Sequence, residues 1–132
     1  IEHGDTVAQA IGQARHITGL EELALWDATF CEDGMTSLAS CPRMASLRAL
    51  RLPGNQVSDD DLWHLVNSPH LRHLVELDLS DNDLTRDSVP LLTGWEGLRS
   101  IRVLDIQNNR LRADKATILN SPHAKNLVEL RV

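Results

Sequence analysis

His70 and His73 are the residues whose type and spacing come nearest to metal chemistry. A histidine pair that binds a metal from one helix face usually stands four positions apart and has a third ligand nearby. These two stand three positions apart, and a solvated segment that follows a helix explains them better. No nucleophile motif, phosphate-binding glycine loop or dinucleotide turn occurs in the chain. We therefore expect no catalytic residue, no metal and no cofactor, and we do not expect an enzyme.

Carboxylates offer a second kind of chemistry. Asp78 and Asp105 occupy the same place in two similar phrases, and Asp81 follows Asp78 closely. Neighbouring strands would bring such side chains roughly 5 Å apart, where together they attract cationic groups. Basic side chains of a partner are the favoured cation, and a bound divalent ion is the weaker alternative. Whether the three carboxylates meet depends on the elements that carry them.

A repeat of about 27 residues sets those elements. The phrase that begins at Leu20 returns at Leu47, Leu74, Ile101 and Leu127, with spacings of 27, 27, 27 and 26 residues. Its alternating apolar residues predict a short half-buried strand. An acidic or hydroxyl cluster follows, and then apolar residues at helical spacing. No unit can bury its apolar face alone, so the units are expected to stack.

The helical half of each unit has recognisable positions. The residues expected to face the core are Met35, Leu38, Ala39, Leu62, Leu65, Val66, Val89, Leu92, Ile118 and Leu119. The polar clusters expected to begin the helices are Glu32-Asp33, Ser58-Asp59-Asp60, Thr85-Arg86-Asp87 and Asp114. A second apolar position packs the return toward the next strand, and it is filled by Met44, Leu71, Leu98 and Ala124.

The whole pattern resembles the leucine-rich repeat family. The period and the helical second half are similar to its ribonuclease-inhibitor-like branch, and the phrases Ser68–His70, Ser121–His123 and Leu77–Asn82 resemble bacterial arrays of that type. The resemblance implies an α/β solenoid, a horseshoe with a parallel β-sheet on the concave side and helices on the convex side. It also implies a protein partner. Repeats are expected over residues 20–132, and residues 1–19 are expected to form the helical part of a preceding or capping repeat.

Three asparagines recur at one place in the repeat. Asn55, Asn82 and Asn109 follow their strands at the same distance, whereas Ala28 stands there in the first copy. A stacked asparagine side chain can hydrogen-bond the turn backbone that a parallel ladder leaves unpaired. We expect these residues to have a structural role and the first turn to be held less tightly.

The concave face of the sheet is the predicted binding surface. The residues between and just beyond the strand leucines that we expect to contact a partner are Glu22, Trp26, Asp27, Arg51, Glu76, Asp78, Ser80, Asp81, Asp105, Gln107, Glu129 and Arg131. Seven of them are carboxylates and two are arginines, so this face is expected to steer a basic protein, with Trp26 as an apolar anchor. Solvation alone is the alternative explanation. A structural or regulatory spacer within a larger signalling enzyme or receptor is the alternative function.

Two further tryptophans lie in the helical halves. Trp95 belongs to Gly94-Trp95-Glu96-Gly97, which replaces the Ser-Pro-His return of other repeats, and we expect it to be partly buried. An exposed anchor is the alternative for Trp95, and the sequence leaves the exposure of Trp63 open.

Composition limits the partner and the environment. A formal charge of −6 and the lack of tyrosine disfavour nucleic acid, and no apolar run reaches the ~18 residues of a membrane span. Cys31 and Cys41 are too few for a disulfide framework, which favours a reducing, cytoplasmic setting. Neither end has a polar cap, so we expect a longer parent protein and leave open self-association through exposed end repeats.

Overall fold

Five short parallel strands form one sheet in the computed structural model, which describes residues 10, 11, 13, 16–28 and 32–132. The strands are β1 Glu22–Ala24, β2 Ala49–Arg51, β3 Glu76–Asp78, β4 Val103–Asp105 and β5 Glu129–Arg131, and they lie side by side in chain order. The register matches the repeat, because Leu23, Leu50, Leu77, Leu104 and Leu130 are partners across the sheet. The expected α/β solenoid is confirmed.

A helix follows each of the first four strands. The helices are α1 Glu32–Ala39, α2 Asp59–Val66, α3 Ser88–Thr93 and α4 Lys115–Leu119. Two short 3-10 helices, Pro42–Ser46 and Glu96–Ser100, lead back to β2 and β4. Pro90 lies in the first turn of α3, where a missing backbone N–H costs little.

The core lies between the sheet and the helices. The strand leucines other than the partly buried Leu23 are buried there, as are the return positions Met44, Leu71, Leu98 and Ala124. Leu119 differs from its expected place, because half of its surface is exposed. Helix α4 has only five residues, and neighbouring positions on a helix point in different directions. Ile118 takes the core position, so Leu119 cannot share it.

The helix starts are capped in two different ways. Ser58 and Asp61 form a reciprocal capping box on α2, and the Asp114 side chain accepts a hydrogen bond from the Thr117 backbone N–H on α4. Asp87 does not cap α3, in contrast to the expectation, because its backbone is already helical, whereas a capping residue needs an extended conformation.

A carboxylate from the preceding repeat serves the start of α3 instead. Asp59 accepts hydrogen bonds from the Thr85 backbone N–H at 2.9 Å, from Thr85 Oγ1 at 2.6 Å and from the Ser88 hydroxyl. Burial alone would raise the pKa of Asp59, but these hydrogen bonds outweigh it and lower the pKa. Neighbouring repeats are therefore tied together on the helix side.

The expected helical segment before β1 is described only in part. Ala10, Ile11 and Gln13 have helical backbone, and residues 1–9, 12, 14 and 15 lie outside the described residues, as do 29–31 with Phe30 and Cys31. Cys41 is a buried free thiol.

Candidate functional site

The exposed face of the sheet carries two columns of side chains. Strand pairing sets Glu22, Ala49, Glu76, Val103 and Glu129 side by side in the first column, and Ala24, Arg51, Asp78, Asp105 and Arg131 in the second. Asp78 and Asp105 are direct neighbours, as the period requires.

Arg51 joins three strands by ion pairs. Its Nε and Nη2 donate to the two carboxylate oxygens of Glu76 on β3, at 2.6 and 2.8 Å, and its Nη1 donates to Glu22 Oε2 on β1 at 3.3 Å. The guanidinium holds the pKa of Glu76 below its usual range, and Glu76 in turn raises the pKa of Arg51. The bidentate geometry fixes both side chains, so neither offers a free charge to a partner.

Arg131 makes a second cluster at the other end of the sheet. Its Nε donates to Glu129 Oε1 at 2.7 Å, and its Nη1 donates to Asp105 Oδ2 at 3.2 Å. These bonds, with Glu129 the stronger cause, raise the pKa of Arg131. Asp105 is only 7% exposed, and its second oxygen accepts the Gln107 backbone N–H at 3.1 Å.

The expected group of three carboxylates is therefore divided. Asp105 is buried and paired, so it does not contribute an open charge beside Asp78, although both lie in the same column. The reason is that an arginine on the next strand is within reach of Asp105, while Arg51 turns toward Glu76 and Glu22 rather than toward Asp78. Asp27, Asp78 and Asp81 are left as the concave carboxylates without a basic partner among the described residues.

Asp78 and Asp81 stand at the turn after β3. Asp78 Oδ1 accepts the backbone N–H and the hydroxyl of Ser80, at 2.9 and 2.7 Å. Asp81 Oδ1 accepts the side-chain amide of Asn108 at 2.9 Å. Both carboxylates are thus oriented by neutral donors. We call Asp78, Ser80 and Asp81 the acidic turn patch.

The same turn has an unusual backbone in four consecutive repeats. The residue two positions after each of Leu25, Leu52, Leu79 and Ile106 has a left-handed backbone conformation. These residues are Asp27, Gly54, Asp81 and Asn108, with φ of 48°, 69°, 55° and 55°. Glycine, aspartate and asparagine are the residues that tolerate this region best. A Cβ at Gly54 would collide with the Asp27 carboxylate, so glycine also makes room for that side chain. Sequence reasoning missed this feature, although the residue types in the column would have indicated it.

The three asparagines bridge neighbouring turns. Each side-chain N–H₂ donates to a carbonyl of the preceding repeat, with Asn55 bonding Leu25 at 2.8 Å and Asn82 bonding Leu52 at 2.9 Å. Asn109 donates in the same way to Leu79 at 2.8 Å. Each side-chain oxygen also accepts a backbone N–H of the preceding turn, from Ala28 for Asn55, from Asn55 and Val57 for Asn82, and from Leu84 for Asn109.

The three tryptophans differ in how much of their surface is exposed. Trp26, at the rim of the concave face, is 64% exposed, whereas Trp95 is only 7% exposed. Trp63 on α2 is 51% exposed and lines a groove of about 740 Å³ between α2 and α3, on the side away from the sheet. Sequence reasoning did not find this groove, because it depends on how two helices and one irregular return pack together.

One described histidine contacts a neighbouring repeat. His123 Nδ1 accepts a hydrogen bond from Arg99 Nε at 3.0 Å, which ties it to the neighbouring return. Within the described ranges, no three histidine, cysteine, aspartate or glutamate side chains are grouped so that they could hold a metal ion. In the same part of the chain, no helix has both the length and the apolar character that crossing a membrane requires.

Comparison with known proteins finds one similarity to a described family. Residues 70–89, which include β3, match a family model described as Leucine Rich repeat. None of the curated proteins compared with the chain matches it.

Proposed function

We propose that this chain is a leucine-rich repeat protein whose acidic turn patch binds a basic segment of a partner protein. Repeats of this kind form protein-interaction scaffolds in general, typically without catalysis, because stacking creates an extended surface for contact. The proposal narrows the contact to the carboxyl end of β3, with exposed Trp26 as an apolar anchor farther along the same edge.

The observation that carries the proposal is the difference in pairing among the concave carboxylates. Glu22, Glu76, Asp105 and Glu129 form ion pairs with Arg51 and Arg131. A partner that approached these four would have to break bonds already made. Asp78 and Asp81 are held in place by neutral donors, so a lysine or arginine can pair with them without displacing an ion pair.

Panning of a displayed peptide library against the chain tests this proposal. We expect the wild-type chain to enrich peptides that contain lysine or arginine, and the double variant Asp78→Lys, Asp81→Lys to lose that enrichment. Asp33→Lys is the matched control, because Asp33 is an exposed acid on α1, away from the sheet. The enriched peptides should bind more weakly as salt rises from low to physiological strength.

Three outcomes count against the proposal. Enriched peptides without basic residues would show that charge does not drive the binding. Equal enrichment by the double variant would show that the peptides bind outside the acidic turn patch. A lack of any enrichment would favour the alternative function, an inert spacer within a larger signalling enzyme or receptor.

A further inference from the structure

A groove lies between α2 and α3 on the helix side, and an indole forms one wall. Trp63 on α2 and Leu91 on α3 line both this groove and a shallower depression that adjoins it toward the helix starts. Half of the Trp63 surface is open to solvent. A large exposed aromatic between two helices is a typical contact point for an apolar side chain of a partner.

An irregular return forms the floor of the groove. Trp95 occupies the position that Ser68 and Ser121 occupy in the neighbouring repeats. Each of those serines accepts a hydrogen bond from within its own return segment; the Ser68 hydroxyl, for example, accepts the His70 backbone N–H at 3.1 Å. The Trp95 ring lies directly over Gly97, where even a Cβ would collide with it. The return therefore places a largely buried indole beneath the groove.

The charges around the groove fall into two groups. Arg72 and Arg99 line its return end, and they occupy equivalent positions 27 residues apart in neighbouring repeats. Asp60 and Asp87 line the depression at the helix starts and are likewise 27 residues apart. Each pair brings like charges to neighbouring repeats, which is unfavourable until an opposite charge arrives. Glu96 also lines the return end, so that end carries two cations and one carboxylate.

None of these four residues has an ion-pair partner within the described residues. Arg99 donates only to the neutral His123 ring, and Arg72, Asp60 and Asp87 form no salt bridge there. The surface is thus apolar in the middle, basic at one end and acidic at the other.

We propose that this groove binds a short amphipathic helix of a partner protein. Its apolar stripe covers Trp63 and Leu91, its acidic end meets Arg72 and Arg99, and its basic end meets Asp60 and Asp87. Helix α2 is eight residues long, or about 12 Å, so about three turns of a partner helix span both charged ends. No residue of the acidic turn patch takes part, so this inference stands independently of the proposed function.

A synthetic peptide tests the inference directly. The probe is a fluorescein-labelled peptide of about 12 residues with leucines along one helical stripe, glutamates in its first turn and lysines in its last turn. We expect saturable binding to the chain by fluorescence anisotropy. Trp63→Ala should weaken it by roughly tenfold or more. Trp26→Ala, which removes a more exposed indole from the concave face, should leave the Trp63-dependent binding unchanged.

Charge exchange keeps the test decisive even if a variant is less stable. The double variant Arg72→Glu, Arg99→Glu should bind the probe roughly tenfold more weakly. A second peptide, with lysines in place of the glutamates, should bind this double variant more tightly than it binds the wild-type chain. A variant that had only lost its fold would not gain affinity for the second peptide.

Several results would overturn the inference. They are no saturable binding of the probe, binding that Trp63→Ala leaves unchanged, and loss of binding in Trp26→Ala instead. Sedimentation that showed a dimer sensitive to Trp63→Ala would assign the groove to a second copy of this chain. Probe binding that is kept in Trp63→Ala but lost in Asp78→Lys with Asp81→Lys would belong to the acidic turn patch and overturn the groove assignment, which separates failure here from failure of the concave-face proposal.

Discussion

The concave face and the helix-side groove differ in how their charged side chains are paired. On the concave face, Arg51 and Arg131 take up four carboxylates from their own and neighbouring strands. On the helix side, Arg72 stands beside Arg99 in the stack, and Asp60 beside Asp87. In a stacked repeat every position is the neighbour of its own copies, so a charge that recurs unchanged meets its like. The concave columns vary from repeat to repeat and form ion pairs within the sheet, whereas each groove pair repeats one charge and forms no salt bridge among the described residues.

The asparagine ladder beneath the concave turns should give the largest effect. Asn82→Ala removes acceptors for two backbone N–H groups and donors for the carbonyls of Leu52 and Ser80. We expect a loss of about 3 kcal/mol in the free energy of unfolding, measured by urea denaturation, because buried polar groups lose their partners. Asn109→Ala, at a less buried position, should cost less, and an equal cost would contradict the role given to burial.

The floor of the groove gives the second largest effect. Gly97→Ala forces the Trp95 indole to move, and we expect a loss of about 2 kcal/mol together with a red shift of tryptophan emission. The control is a double-mutant cycle with Trp95→Ser, which restores the residue of the equivalent returns. In that background Gly97→Ala should cost close to nothing. An unchanged cost would show that the clash with the indole is not the cause.

The arginine clusters should matter less, because they are partly exposed. Glu76→Gln removes the bidentate partner of Arg51, and we expect it to cost about 1 kcal/mol at neutral pH by urea denaturation. Glu22→Gln should cost less, since it makes one longer contact and is more exposed. A larger effect for Glu22 would mean that Arg51 pairs mainly with β1.

Acid should abolish the contribution of Glu76. Its pKa is lowered in the folded chain, so its stabilisation is full above its ordinary pKa of 4.5 and is lost as the pH falls through the lower folded value. The difference in unfolding free energy between wild type and Glu76→Gln should therefore shrink below about pH 4.5. A difference that stayed constant down to pH 2 would rule out the ion pair as its source.

The groove cations should contribute least to stability. Arg72→Gln breaks no ion pair within the described residues and relieves the repulsion from Arg99, so unfolding free energy should change by no more than about 0.5 kcal/mol. Any change should be stabilising and should fade at high salt. A substantial loss of stability would show that Arg72 serves the fold and is not available for a partner.

The sequence predicted the solenoid because spacing determines it. Strands, helices and return positions follow from apolar residues that recur every 27 positions, and no contact had to be known. Spacing alone does not determine which side chains pair with each other. The period sets Ala24 and Asp78 directly beside Arg51, and only the actual reach of the guanidinium selects Glu76 and Glu22.

The errors have the same origin. The cluster Thr85-Arg86-Asp87 was expected to cap α3, but Asp87 has helical backbone, and the Asp59 carboxylate of the preceding repeat accepts hydrogen bonds from Thr85 and Ser88 there. Leu119 looked like a core residue, but α4 is too short to bury two adjacent side chains. The groove could not be foreseen, because it results from Trp95 at a place where the other returns carry small side chains.

The ladder of asparagines also sets an order in which the repeats can fold during synthesis. The oxygen of Asn82 closes the turn that contains Asn55 and Val57, and the oxygen of Asn109 serves Leu84, so each turn is held by a side chain about one repeat later. While the protein is being synthesised, a repeat that has left the ribosome lacks these bonds until the following repeat emerges. Native structure should therefore advance one repeat behind the growing end.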